Sequence, residues 1–387
     1  MHGYRSMDVR RERFQAGNAI KLESDCMTIN FRPAVETNSI VPVVLKALTD
    51  AGVGARLRSA DAAAWWEASS RIGYLPVAYS SALIDYQLAY WSGNGLPTED
   101  ISVLLVHDNR PCGIWPLSVT FDAEEKWRIG SSGGPVVPPL FVSGLARKSV
   151  KSITAGCLAA LDNVCVEAGQ TYVESIETYV GIGGLSEWHD RLMQGGARVD
   201  LRHDLFLDLA PPMAEIKSTF RSRYKSLITA GNKLWKVHVL TAADLEPWEE
   251  FRLLHLAVAE RATRSDESWS LQHDAISSGD AFLVFLRDQA GRMVGGGFFH
   301  TTAHEGLYAV GAYDRSLFKN PLGHVVQYRA IEEMKRRGIR WYKLGARIYP
   351  ANDPTPSGKE ITISNFKQGF ASHLFPCYCL RYGSSQS

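Results

Sequence analysis

The side chains best suited to chemistry gather in three stretches of the sequence. From Ile216 to Leu240 there is no acidic residue, while Lys217, Arg221, Arg223, Lys225, Lys233 and Lys236 are basic and Tyr224 and Trp235 interleave with them. Uncompensated positive charge favours phosphate, whether on a nucleotide, a sugar diphosphate or an RNA backbone. The alternative is a solvated helix face, although ordinary surface helices mix signs. A second stretch, running from the helix-like FRLLHLAVA into a polar segment, crowds His255, Glu260, Arg261, Thr263, Arg264, Glu267, Trp269 and Gln272. Arg261 and Arg264 could grip a carboxylate or phosphate bidentately, or could pair with Glu260 or Glu267. The third stretch holds Asp314, Arg315 and His324. Asp314 could accept a proton or orient an amine; it could equally pair with Arg315 or cap a helix. His324 starts a helix, whose N-terminus favours a neutral imidazole able to act as a base.

The elements positioning the third stretch are readable. LYAVGAY predicts a strand, SLFKNPLGH a loop, and VVQYRAIEEMKRRG a helix with Val325, Tyr328, Ile331 and Met334 at helical spacing. Gly338 stops that helix after the basic turn Lys335–Arg337, and IRWYKLG predicts the next strand. This is a βαβ unit, and the N-terminus of its helix offers free backbone N–H groups to an anion. A polar loop then leads to KEITISNFKQGF and an apolar terminal strand carrying Cys377 and Cys379.

Upstream, AFLVFLRD, a turn at Gly291 and MVGGGFFHTT predict a hairpin, as do ISVLLVHD and CGIWPLSVTF. The order hairpin, loop or strand, helix, strand recurs at 101–178 and 281–345, the pattern of a duplicated fold. Trp65 and Trp66 are expected inside a helix core. The tyrosine-rich PVAYSSALIDYQLAYW predicts a helix with one aromatic face, and SSGGPVVPPLF is a special loop of the kind that borders sites.

At 387 residues the chain exceeds one ordinary core. The expected organisation is a flexible start over 1–25, a first domain over 26–200 and a second over 201–387. Hydrophobic content of 45% and charged content of 21% describe an ordinary soluble globular protein, and a net charge of +1 says nothing about partners, which only local clusters can. Six scattered cysteines fit reduced thiols in the cytoplasm. No run is long enough for a transmembrane helix, and the N-terminus lacks the apolar core of a signal peptide. No metal-ligand spacing, Walker loop, nucleophile elbow or dinucleotide fingerprint occurs, so direct attack is favoured over a covalent acyl-enzyme.

From about Asp204 to Phe370 the chain resembles the second half of the FemAB-type transferases, relatives of the GNAT acyltransferases, and also the CelD-like acyltransferase domain. The resemblance is carried by RSRYKSLI, GAYDR, NPLGH and, most specifically, KEITISNFKQGF. It implies an α/β fold of tandem GNAT-like domains, each a mixed twisted sheet flanked by helices, facing a shared cleft. It implies transfer of an aminoacyl or acyl group to an amine, with an amino sugar nucleotide or another cell-envelope precursor as acceptor. No cofactor is expected to be tightly bound; aminoacyl-tRNA or acyl-CoA would serve as co-substrate. NPLGH has one glycine, fewer than the pyrophosphate loops of CoA-dependent GNAT proteins, which favours the tRNA donor. The family's Phe-Lys pair at the transfer site matches Phe366-Lys367. A lysine there suits the chemistry, because an ammonium stabilises the carbonyl oxygen as negative charge develops. Gln327, Tyr328, Lys359 and Glu360, from the same motif-bearing segments, complete the expected substrate-binding set. Glu360 could also pair with Lys359. The other enzyme reading is an acetyl-CoA-dependent N-acetyltransferase, and the non-enzyme reading a nucleotide- or RNA-binding GNAT-like module.

Overall fold

A computed structural model describes residues 40–121, 127–178, 185–352 and 354–383. Cys26 and the expected flexible start lie outside them. In the first half, α1 (Ile40–Asp50), β1 (Gly54–Leu57), α2 (Ala62–Ser70) and α3 (Ser81–Gly93) lead into β2 (Thr98–Asp100), β3 (Val103–His107), β4 (Arg110–Trp115), β5 (Ser118–Phe121), β6 (Trp127–Gly130) and β7 (Leu140–Phe141). Then come α4 (Arg147–Glu167), β8 (Tyr172–Thr178) and α5 (Glu187–Gln194). The second half runs β9 (Arg198–Asp208), α6 (Met213–Thr219), α7 (Ser222–Leu234), β10 (Lys236–Leu240), α8 (Leu245–Ala259) and α9 (Asp266–Ser277). It continues with β11 (Ala281–Arg287), β12 (Met293–Thr301), β13 (Glu305–Tyr313), α10 (Leu322–Arg336), β14 (Trp341–Arg347), α11 (Gly358–Gln368) and β15 (His373–Gly383).

The described residues form three sheets: β1-β3-β4-β7, β2-β5-β6, and an eight-stranded sheet ordered β10-β11-β12-β13-β14-β9-β15-β8. The expected α/β class, with mixed sheets flanked by helices, is the observed one. The expected boundary at 200/201 falls inside β9, and the large sheet crosses it, since β8 of the first half pairs with β15 and β15 with β9. The predicted second strand CGIWPLSVTF is two strands: Pro116 interrupts it, and its parts join different sheets.

The second half is built around β12. Its consecutive glycines let helices close on both faces: a Cβ at Gly296 would meet the Phe251 ring of α8 at 3.0 Å, and one at Gly297 would meet Val326 of α10 at 2.8 Å. One face therefore packs Val294 and Phe299 with α7 and α10, the other packs Met293 and Phe298 with α8 and α9. Helix α10 buries Leu322, Val325, Val326, Ala330, Ile331 and Met334, the stripe expected from its spacing except that Tyr328 is half-buried at its edge. Trp65 is core at 1% exposure, but Trp66 is 73% exposed, because neighbours on a helix point about 100° apart. The glycine–proline loop is a packing element: Trp115 donates to the Val137 carbonyl at 2.9 Å, Tyr79 donates to that of Pro138 at 2.7 Å, and Gly133 lies against Trp91.

Candidate active site

Strands β13 and β14 are parallel and pair only from Glu305↔Trp341 to Leu307↔Lys343. Strand β14 pairs with β9 along its whole length, from Trp341↔Asp208 to Arg347↔His203 with a bulge between Lys343 and Gly345, so past Leu307↔Lys343 it stays with β9 and parts from β13. Helix α11 lies over the gap. It starts at Ser357, whose side chain and that of Glu360 form a capping box. Near its end, Lys367 reaches back so that Nζ sits 5.4 Å from the centre of the Tyr308 ring on β13. On β14 it lies against Gly345, where a Cβ would stand 2.8 Å from Nζ. Gly345 also has φ +121°, a conformation that favours glycine. Burial pulls the Lys367 ammonium down to about 8, with the Asp204 carboxylate opposing the shift.

Under this gap lies an ion pair between a half-buried lysine and a buried aspartate that reasoning from sequence missed. Lys343 Nζ is 2.8 Å from Asp204 on β9, which also accepts from Thr178 of β8 at 2.7 Å. Burial alone would lower the Lys343 pKa, but Asp204 and Glu305 outweigh it and hold the ammonium charged. Glu305 is itself buried, accepting from the Tyr74 hydroxyl and from the Val77 N–H at 3.1 Å. These residues stitch the first half to the root of the β13–β14 gap. A charged residue inside an apolar strand, IRWYKLG, was the available signal.

His324 and Phe366 meet, their ring centroids 5.1 Å apart, and Tyr224 packs edge-on to His324 at 4.5 Å. The Tyr224 hydroxyl donates to the Phe366 carbonyl at 3.1 Å. Burial, helped by the charge of Arg223, drives the His324 pKa down to about 4, so the ring is neutral. Among the described residues nothing hydrogen-bonds to it. Gly231 brings α7 onto the entry of α10, since a Cβ there would meet Pro321 at 3.0 Å.

The remaining expected residues divide. Arg221 braces α11, donating to the Asn365 carbonyl at 3.2 Å and lying over the Tyr224 ring. Arg223 is exposed, and Lys225 lines an open groove of about 610 Å³ with Lys217 and Lys233. Lys217 also lies over Tyr328 at 5.4 Å. Gln327 is buried and accepts from the Tyr342 hydroxyl. Asp314 is placed apart from Lys367: it caps a short turn through Ser316 and pairs at 2.9 Å with Arg292, not with Arg315. Those contacts hold its pKa below the usual carboxylate value. Arg315 reaches Glu260 at 3.5 Å. Lys359 and Arg261 are exposed. Glu360 serves the capping box. Arg264, Trp269 and Gln272 lie on the opposite face of the sheet, packed against α3.

Among the described residues no group of side chains could hold a metal ion, and no helix is long and apolar enough to cross a membrane. A family model described as an acetyltransferase (GNAT) domain matches residues 219–354. No curated protein matches the chain. Among solved structures, FemX is 12% identical, covers 79% of this chain and 96% of its own, and superposes with a TM-score of 0.58. A conserved protein of unknown function from Bacteroides thetaiotaomicron is 10% identical, covers 83% and 96%, and has a TM-score of 0.51. A tandem GNAT protein from the clavulanic acid biosynthesis pathway is 15% identical and covers 91% and 97%, with a TM-score of 0.45. The sheet that parts around Lys367 thus belongs to a fold similar to that of FemX, with a GNAT domain match over residues 219–354. The expected likeness to FemAB-type and GNAT proteins is thus found at the level of the fold and of the domain matched over 219–354.

Proposed function

We propose that this protein transfers an aminoacyl or acyl group to an amine, and that the reaction takes place where β13 and β14 part. What carries this reading is the Lys367 ammonium at that gap, held by an aromatic ring and a glycine rather than by a hydrogen-bonded carboxylate. The neutral amine attacks the carbonyl carbon of an ester or thioester. The carbonyl pair moves to oxygen, where Lys367 meets the new negative charge. Collapse expels the alkoxide or thiolate, and the proton released by the amine neutralises it. His324, neutral and beside Phe366, is the base that takes up that proton in passing.

The donor we favour is an aminoacyl-tRNA. The single glycine of Asn320–His324 supports it, as does the groove lined by Lys217, Lys225 and Lys233, which suits a phosphate backbone. The acceptor is an amine on a nucleotide sugar or another cell-envelope precursor, met in the cytoplasm. A second reading, an acyl-CoA donor, is favoured by the acetyltransferase match itself. Incubating the protein and candidate amines with charged tRNA or with acetyl-CoA, and weighing the products by mass spectrometry, separates the two. Product from acetyl-CoA alone overturns the tRNA donor; product from neither overturns the transferase reading.

A further inference from the structure

On the face of the sheet away from Lys367, the two halves of the chain meet around a second cation. Helices α3 and α9 lie side by side, so close that a Cβ at Gly93 would fall 2.8 Å from the Ser265 hydroxyl. Arg264, at the entry to α9, is half-buried between them. Its Nε donates to the Tyr86 hydroxyl at 2.9 Å; its Nη1 donates to His255 Nε2 at 3.0 Å and to Thr263 Oγ1 at 3.2 Å. The guanidinium also lies over the Trp269 ring at 5.4 Å and the Tyr90 ring at 5.9 Å. Every one of these partners is neutral. Burial and the neighbouring Arg264 charge push the His255 pKa down to about 4. The nearby carboxylates are engaged elsewhere: Glu260 with Arg315, Asp266 with Arg252.

The hydrogen-bond inventory is unbalanced toward donors. Arginine has five N–H groups, and the two on Nη2 have no partner among the described residues. With Nε2 of His255 accepting, its Nδ1 carries the other proton; the Tyr86 hydroxyl, accepting from Nε, keeps an O–H to give. Polar groups around this box are also unpaired: both amide atoms of Gln272, one turn along α9 from Trp269, and both ring nitrogens of His300, whose ring is 6.0 Å from that of Tyr86. Gln272 and His300 are both 0% exposed. Buried polar groups in native proteins are normally satisfied, and it is the open donors of this set, the Nη2 N–H groups of Arg264 with Gln272 Nε2 and the one N–H of the neutral His300 ring, that point to a missing acceptor.

The geometry points to an anion subsite in which Arg264, Tyr86 and His255 hold a carboxylate carried by the amine acceptor. A single uncompensated charge in an aromatic surround matches a planar monoanion better than a doubly charged phosphate. The site draws Tyr86 and Tyr90 from the first half and Arg264, His255 and Trp269 from the second, so the seam between the halves selects the acceptor. This assignment rests on the acyl-transfer reading for the amine, but its test needs no turnover.

The probes are N-acetylglycine, its carboxamide and inorganic phosphate, titrated onto the full chain by saturation-transfer NMR. N-acetylglycine should bind, the carboxamide should not, and phosphate should not displace it. Arg264→Gln should weaken N-acetylglycine at least about tenfold, the loss expected for a hydrogen-bonded charge. Tyr86→Phe keeps the ring, removes one O–H and should weaken it about threefold or more; it carries the test if Arg264→Gln unfolds. Lys367→Met should bind N-acetylglycine like the parent, so lost turnover with retained binding separates the transfer chemistry from this subsite. The assignment is overturned if the parent does not bind N-acetylglycine, binds the carboxamide equally, prefers phosphate, or if both variants bind unchanged.

Discussion

The two faces of the large sheet each hold one half-buried cation among aromatic rings, yet they are built differently. On one face Lys367 rises from α11 and meets residues of the second half, Tyr308 and Gly345, with Asp204 near enough to oppose its shift. On the other, Arg264 is gripped by hydrogen-bonding partners from both halves. The lysine is a compact charge on a flexible stem, with a pKa brought near the working range; the arginine is a fixed planar fork. Such a pairing suits a division of labour. The face made within one half supplies charge to a transition state, and the face shared between halves supplies recognition.

The sharpest way to break this contrast is Lys367→Met, which keeps the apolar stem and deletes the charge. Single-turnover rates with donor and acceptor saturating should fall by about a hundredfold to a thousandfold, the usual loss on removing one oxyanion donor. A change within about threefold would make the lysine structural.

Gly345→Ala tests the same contact from the other side. A Cβ there stands 2.8 Å from Nζ and strains a backbone at φ +121°. Displacing the ammonium by about 1 Å should cost on the order of a hundredfold in turnover. Little change in acceptor binding is expected, and equal losses in kcat and affinity would argue for general unfolding.

The pH profile distinguishes donor from base. Lys367 is drawn down to about 8. If its ammonium is the active form, kcat falls about tenfold per pH unit above that value, because deprotonation removes the charge. If the neutral amine were the base, the same group would produce a rising limb that levels off near 8. A profile flat across that range contradicts both roles.

The smallest effect is expected from Lys217, Lys225 and Lys233, which surround the open groove. Replacing all of them by alanine should weaken a charged-tRNA donor and flatten the salt dependence of its binding, with folding retained. Unchanged binding and slope would leave them as a solvated face. Arg221 is omitted from this set, since its contact with Asn365 supports α11.

What could be read from sequence was local. The βαβ unit and the helical stripe of α10 follow from spacing, because that signal acts within one or two turns, whereas the capping box of Ser357 and Glu360 that starts α11 was present in the sequence but went unread. The meeting of His324 with Phe366 was not spelled out, though both were singled out by motif. The misses are long-range. Nothing near Asp314 in sequence shows that Arg292 will face it from the turn before β12. Nothing near Arg264 names Tyr86, and the pairing of Lys343 with Asp204 depends on β9 entering the sheet beside β14. Trp66 was expected in the core because it adjoins Trp65, and helix geometry turned it outward.

The position of β15 carries a consequence for how the molecule is made. The last described strand is an interior one, hydrogen-bonded to β8 on one side and β9 on the other. Until it leaves the ribosome, the large sheet stands as two pieces with two raw strand edges, each a template for wrong pairing. The part of the sheet that joins β8 to β9 is therefore completed only once β15 has been made. A chain arrested before His373 would carry the Lys367 motif in full and still lack the sheet that unites it with β8.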